Sequence, residues 1–443
     1  MQNQGIRDAR SLGTPKLLVL GLQHMFAMFG ATVLVPALTG LSVSATLLFA
    51  GLGTLFFHFV TKGKVPAFLG SSFAYLAGYA AIAPNGEAAL LPYACVGVAA
   101  SGLLYLILAA LVRGFGANRV MRFFPPVVTG PIIICIGMTL ANSAINNCTG
   151  SWDIALVAIL TVVIFNIWGK GMLRIIPILL GVLVSYVYAA VTGRVDFSGV
   201  ASAAWIGLPV KMENTVFSLI GNCDANLLVT AIIAIMPIAF ATMIEHIGDI
   251  CAISSTVGAN FIADPGLHRT LLGDGLATSI ASLFGAPANT TYGENTGVLA
   301  LTRVYDPLVI RLAAVYAIIA SFCPKFAALV SAMPTGTIGG VSLILYGIIS
   351  AIGVRNLVEN RVDLAKSRNV IVVSLIISLA LGITFSTAGA ITFHVGEFTL
   401  NFSGLAVAAI VGIVVNAILP GKDYNFQNDY EYGKTTEDHG QML

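Results

Sequence analysis

Charge is what this chain has least of. Asp, Glu, Lys and Arg together make up 9% of its 443 residues, against about 25% in soluble globular proteins. A water-soluble protein of this length cannot cover its surface with so few charges. That excludes an ordinary cytosolic enzyme, a nucleic-acid binder and a disordered scaffold. Cysteine is scarce as well, at six residues. Cys95, Cys135, Cys251 and Cys323 lie in or beside apolar runs, while Cys148 and Cys223 lie in loops. Unpaired thiols are expected, with a disulfide between Cys148 and Cys223 as the alternative. No His, Cys or carboxylate grouping has metal-ligand spacing. There is no nucleophile–base pair and no phosphate loop, so neither an enzyme, a metal nor a cofactor is expected.

What the chain has in quantity is apolar surface and glycine. Hydrophobic residues make up 57%, with 46 glycines and a mean hydropathy of +0.91. This composition belongs to an integral membrane protein built of closely packed, partly broken helices. Apolar stretches near the ~20 residues a bilayer requires fall at 17–40, 42–61, 65–83, 89–112, 125–145, 151–168 and 175–192. After a longer loop they resume at 226–257, 269–285, 286–302, 307–323, 333–354, 370–386 and 403–420. The predicted fold is therefore all-α and polytopic, with fourteen segments.

Basic residues test this count. With every segment crossing, only Arg194, Lys211 and Lys325 fall on one side, and the other nineteen of the 22 Lys and Arg fall opposite. Basic residues favour the cytoplasm, so both termini are expected there. Residues 1–16 are polar and mildly basic, read as a cytoplasmic N-terminus without a signal peptide. Residues 421–443 read as a disordered cytoplasmic tail. Loop 193–225 is external, and Trp205 in its apolar patch marks either an interfacial helix or an ordinary packed loop.

Fourteen segments divide into two repeats of seven, 17–192 and 226–420, the second inverted. Two segments interrupt their apolar runs at matching places, the mark of a transporter's substrate site. The third reads Val65-Pro66-Ala67-Phe68-Leu69-Gly70-Ser71-Ser72-Phe73-Ala74-Tyr75, and the tenth reads Ala286-Pro287-Ala288-Asn289-Thr290-Thr291-Tyr292-Gly293-Glu294-Asn295. Setting Phe73 against Glu294 gives an offset of 221, which also sets His24 against Glu245. Each segment is predicted to be a short extended strand followed by a half-helix, the two strands pairing, or else a simple kink packed between helices. Paired strands would satisfy backbone that cannot otherwise survive at membrane depth. The half-helix N-termini would then offer free N–H groups to a ligand's carbonyl oxygens.

Of the twenty acidic residues, three are read as lying within the membrane: Glu245 and Asp249 in segment eight and Glu294 in segment ten. A carboxylate at mid-bilayer costs roughly 2.5 kcal/mol or more, and no Lys or Arg lies at comparable depth. Glu245 and Asp249 are four apart on one helical face. Two such carboxyls can share a proton, or one can simply stay protonated. His24, mid-segment, can bond Glu245 or Glu294, or be a satisfied core histidine. His246 points away from Glu245 by about 100°. Two carboxylates, backbone N–H donors and the ring of Phe73 suit a small planar molecule with alternating N–H and C=O groups, as in pyrimidine and purine bases.

The stretch Thr290–Arg303 resembles the signature of the nucleobase–ascorbate transporter family. Three further segments match it in order: Leu22-Gln23-His24-Met25-Phe26-Ala27-Met28-Phe29-Gly30, Leu69-Gly70-Ser71-Ser72-Phe73-Ala74 and Asp264-Pro265-Gly266-Leu267-His268-Arg269. From about Lys16 to Pro420 the chain is similar to the bacterial uracil permease branch. The resemblance implies inverted repeats, a core domain moving against a gate domain, and proton symport. It implies that Glu245 and Glu294 bind the base, with Phe73, Tyr292 and Gly293 lining the site; beyond it, Ser72 is expected in that lining, and Glu245, Asp249 and His24 are expected to handle the proton. Those permeases carry a His four residues after the first glutamate, where this chain has Asp249. The implied partners are uracil, a proton and the bilayer, with a homodimer as a further expectation. A xanthine or uric acid carrier is the alternative.

Overall fold

The computed structural model describes residues 5–221, 223–395 and 398–421. The expected tail therefore lies, apart from Gly421, outside the described residues. Each predicted apolar stretch carries a helix, labelled here by order: α1 (Thr14–Thr39), α2 (Val43–Val60), α3 (Phe73–Ile82), α4 (Leu91–Phe115), α5 (Pro126–Cys148), α6 (Trp152–Trp168) and α7 (Pro177–Val191). They continue as α8 (Ala225–Val257), α9 (Leu267–Leu283), α10 (Gly293–Thr302), α11 (Pro307–Ser321, followed by Pro324–Ser331 after an 88° bend), α12 (Thr335–Glu359), α13 (Ser367–Thr384) and α14 (Gly404–Ile418). Among the described residues, seven of these are long and apolar enough to cross a membrane unaided, or eight with the bent pair taken as one. The others are shorter. At 1.5 Å per residue, ten-residue α3 and α10 reach only about halfway through hydrocarbon ~30 Å thick.

Two bundles result. α1–α4 pack with α8–α11, and α5–α7 pack with α12–α14. The contacts are matched in pairs: α4 lies on α9 as α2 lies on α11, and α6 lies on α7 as α13 lies on α14. α5 and α12 pack on one another at the centre of the second bundle. Exchanging α1–α7 for α8–α14 reproduces each pairing, as a two-fold inverted repeat requires. α1 and α8, which correspond in the exchange, meet the second bundle through α7 and α14.

At the centre of the first bundle, β1 (Leu69–Ser71) runs antiparallel to β2 (Asn289–Thr291), with Gly70 opposite Thr290. The flanking bonds are reciprocal. Ser72 N–H donates to the Ala288 carbonyl at 2.9 Å, and Tyr292 N–H donates to the Phe68 carbonyl at 3.0 Å. Ser72 thus corresponds to Tyr292, and Phe73 to Gly293, 220 residues apart. The expected offset of 221 is one residue too long here, because both half-helices begin directly after the strand pair. Outer strand edges are met by threonines in corresponding places: Thr54 Oγ1 of α2 bonds the Leu69 carbonyl at 3.3 Å, and Thr278 Oγ1 of α9 bonds that of Asn289 at 2.9 Å. Backbone at this depth is thereby paired on both sides.

Three other features qualify the sequence reading. A second antiparallel pair, β3 (Ala390–Val395) and β4 (Phe398–Ser403), was not predicted and packs against the start of α8. Loop 193–225 holds only short helical turns, and Trp205 is 73% exposed with the Lys325 ammonium 5.0 Å from its ring centre. The N-terminal segment is held in place: Ile6 exchanges backbone bonds with Arg303 and Tyr305, both at 2.8 Å, and Arg7 donates to the Val257 carbonyl at 2.9 Å. That segment ties the C-terminal ends of α8 and α10 together.

Candidate functional site

The strand pair sets α3 and α10 nose to nose, and α8 packs against β2 and α10. This brings the sequence-predicted residues around one point. Glu245, Asp249 and Glu294 are each half-buried and near enough for their charges to interact. Glu245 Oε2 is buried without a hydrogen-bond partner. Asp249 Oδ2 accepts from Thr291 Oγ1 at 2.7 Å, so α8 and β2 are joined at the carboxyl. Sequence reading had left Thr291 out. A hydroxyl on the strand's last residue was the available signal.

Gly293 opens α10 and is exposed, and a Cβ placed on it would meet nothing within 4 Å. The first N–H groups of α10 have no acceptor within the helix. Ser72 Oγ, at the mouth of α3, is buried and unpartnered. Phe73 packs edge-on against Tyr346 of α12, ring centres 5.9 Å apart at 74°. Tyr346 and Ser342 each bury a hydroxyl that makes no hydrogen bond, and through Tyr346 the second bundle reaches Phe73, a contact the sequence did not reveal.

Tyr292 is placed differently from its neighbours. Its hydroxyl donates to the Ser71 carbonyl at 2.8 Å and lies 3.2 Å from Ser71 Oγ and 3.3 Å from Thr32 Oγ1. The ring crosses Gly70, where a Cβ would come within 2.4 Å of it. Its side chain thus locks the strand pair to α1, and only its backbone is at the site. His24 bonds neither Glu245 nor Glu294. Its Nδ1 lies 3.2 Å from Asn295 Nδ2, which also donates to the His24 carbonyl at 3.0 Å. Asn295 follows Glu294 directly, so His24 steadies α10 from behind and leaves its Nε2 unpartnered.

One intramembrane acid escaped the sequence reading. Asp274 lies within α9, fully buried, 2.9 Å from Nδ1 of fully buried His246. The two atoms are close but off the line of a straight hydrogen bond. Rings of Phe57 and Tyr105 stand edge-on to the imidazole at 6.3 and 6.4 Å. His246 does turn away from Glu245, as its position on α8 required. Asp274 was passed over because Arg269 five residues earlier made it look like a segment end. No disulfide joins any two of the six cysteines among the described residues; Cys148 is buried and Cys223 exposed. Among the described residues no cluster of His, Cys, Asp or Glu could hold a metal.

The inverted repeat, the crossed half-helices and the polar centre define a multi-pass membrane transporter fold. Its backbone is similar to the transmembrane domain of a cyanobacterial bicarbonate transporter, BicA (TM-score 0.56, 14% identity, 93% of this chain and 98% of that one). It is also similar to SLC26A9 (TM-score 0.62, 12% identity, 92% of this chain and 66% of that one). A family model described as Permease family matches residues 15–389. The chain belongs to this family, that of the nucleobase–ascorbate transporters its motifs resemble. A relative named uracil permease, from Bacillus caldolyticus, is 42% identical over 437 residues, 96% of each chain.

Proposed function

We propose that this permease carries uracil across the cytoplasmic membrane together with a proton, by alternating access. The observation that carries the reading is that Glu245 of α8 and Glu294 in the first turn of α10 lie near enough for their charges to interact, at a point open beside Gly293. Uracil presents two ring N–H donors and two carbonyl acceptors on one plane. Glu294 accepts from one ring N–H and Glu245 from the other. Amides at Phe73 and Gly293 meet the carbonyls, and the Phe73 ring lies against the plane. Relatives named for uracil at this identity support the substrate.

Proton coupling follows if the base prefers one protonation state of the Glu245–Asp249 pair, since differential binding alone can shift a conformational equilibrium. Tyr346 and Ser342, on the other bundle, would complete the site in one arrangement and leave it in the other. Both termini are then cytoplasmic, and two chains can associate as a dimer. The two solved relatives are named for bicarbonate and as SLC26A9, yet a site with two glutamates and no basic residue does not suit an anion.

The test is uptake of labelled uracil by cells lacking their own carrier, with and without a protonophore, against unlabelled xanthine and thymine. Uracil uptake abolished by the protonophore is the expected result. Competition by xanthine and not by uracil would overturn the substrate in favour of a purine. Uptake indifferent to protonophore and external pH would remove the proton.

A further inference from the structure

A cavity away from the site opens between the two bundles, with a volume of about 500 Å³. Its walls are apolar: Leu108 and Leu111 of α4, Phe240 and Met243 of α8, and Ile413 of α14, with Arg119 the one charged side chain among its lining residues. α4 and α8 belong to the first bundle and α14 to the second, so the cavity is a gap in their seam. Leu111 is exposed at its rim.

In a chain that spans the membrane, the medium at such a rim is hydrocarbon. An apolar gap of this size forfeits the dispersion contacts of every atom lining it unless a chain fills it, and it offers water no partners. Charge says which chain. Arg113, in the last turn of α4, and Arg119 and Arg122, in the segment that joins α4 to α5, are all exposed. None of the ion pairs among the described residues takes any of them. A guanidinium binds phosphate through two parallel N–H bonds, and this end is the one where the chain's basic residues gather.

We propose that an anionic phospholipid occupies this groove, one acyl chain lying between α4, α8 and α14 and its head-group phosphate on Arg119. The lipid touches both bundles. Any movement of one against the other changes the groove's volume, so lipid bound here favours the arrangement whose groove admits the chain.

The test uses the full-length protein in phosphatidylcholine nanodiscs carrying a trace of phosphatidylglycerol or phosphatidylcholine with a photoactivatable acyl chain. Cross-linked peptides are mapped by mass spectrometry. The phosphatidylglycerol probe is expected to label the peptides holding Phe240, Met243 and Ile413 about fivefold over the phosphatidylcholine probe, the preference one basic side chain confers near an anionic lipid. Arg119→Gln should bring that ratio towards one, and Arg119→Lys should keep part of it. Leu108→Trp or Ile413→Trp, each filling the groove from a different bundle, should remove labelling by both probes, with melting in detergent confirming the fold. Equal labelling by both probes in the unaltered protein, or a preference undiminished in Arg119→Gln, overturns the anionic head group. Labelling that survives both tryptophans overturns the groove.

Discussion

Thr291 Oγ1 donates to Asp249 Oδ2 at 2.7 Å, joining the last residue of β2 to the middle of α8. One end of this bond belongs to the strand that aims α10 and the other to the helix that carries Glu245. It is therefore a mechanical link between the two candidate uracil carboxylates as well as a hydrogen bond to a charged or chargeable group. Bonds of that kind contribute about 1.5–3 kcal/mol. Thr291→Val should weaken uracil uptake roughly tenfold or more and displace its pH profile, whereas Thr291→Ser should keep both close to the unaltered protein. Uptake and its pH dependence in vesicles decide this. An unchanged Thr291→Val profile would separate Asp249 from proton handling.

The two glutamates should fail differently. Glu294→Gln replaces an acceptor by a group that also donates, facing a ring N–H, and should abolish measurable uracil binding. Glu245→Gln fixes the group uncharged. Exchange of internal for external uracil should survive it better than proton-driven accumulation does. Binding by calorimetry and the two transport modes in vesicles distinguish these outcomes, and wild-type affinity in Glu294→Gln would place the site elsewhere.

Much of this was legible beforehand because membrane chains write their exceptions openly. Pro66 and Pro287 with their neighbouring glycines broke two apolar runs, and the structure pairs those very stretches as β1 and β2. Glu245, Asp249 and Glu294 stood out against so few charges, and they converge. What was not legible depended on contacts across the sequence. His24 meets Asn295 and not a glutamate, because the half-helix turns its carboxyl and its amide to different sides. Asp274 was hidden by a nearby arginine. Tyr346 looked like one aromatic among many until the second bundle brought it to Phe73. The β3–β4 hairpin does carry a strand period, Ile391-Thr392-Phe393-His394-Val395 and Phe398-Thr399-Leu400-Asn401-Phe402-Ser403 alternating apolar and polar residues, but a search for apolar runs of bilayer length passes over it.

His246 and Asp274 carry a prediction about stability. Removing one partner of a buried pair leaves the other unanswered, at a cost of about 3–5 kcal/mol. Asp274→Ala and His246→Ala should each lower the melting temperature in detergent sharply. The combination of His246→Leu with Asp274→Leu should recover most of the loss. If the double substitution melts normally and still fails to transport, the pair serves transport beyond holding α8 on α9. If each single substitution melts like the unaltered protein, the pair is not a structural tie.

At the surface, Lys64 pairs with Asp264, and Arg269 donates to the Val60 carbonyl at 3.1 Å. The motif from Asp264 to Arg269 thus staples the end of α2 to the start of α9. The Lys64 ammonium holds the Asp264 carboxyl below its ordinary value of 3.8. A lowered folded value means the stabilisation is complete above the unfolded value and is lost as pH falls through the lowered one. Both partners are solvent-exposed, so screening keeps the effect small and salt-sensitive. In low salt, Asp264→Asn should flatten the acid limb of a melting-temperature profile below about pH 4, and moderate salt should erase the difference.

The repeat symmetry itself can be tested at the strand edges. Thr54 on α2 and Thr278 on α9 occupy corresponding places and bond the carbonyls of Leu69 and Asn289. Thr54 Oγ1 also accepts from the Leu69 N–H at 2.8 Å, a bond for which Thr278 has no counterpart among those described. Valine at either place leaves a strand carbonyl buried without that partner, a loss of about 1–3 kcal/mol. Thr54→Val loses a donor and an acceptor at once and should be the more damaging of the two. Serine at either position should preserve the bond. Melting temperatures rank the four variants, and uracil uptake shows whether a loosened strand pair still aims α3 and α10 at one point. If both valines melt like the unaltered protein, the strands are held by their mutual pairing alone, and the threonines contribute nothing to the crossing.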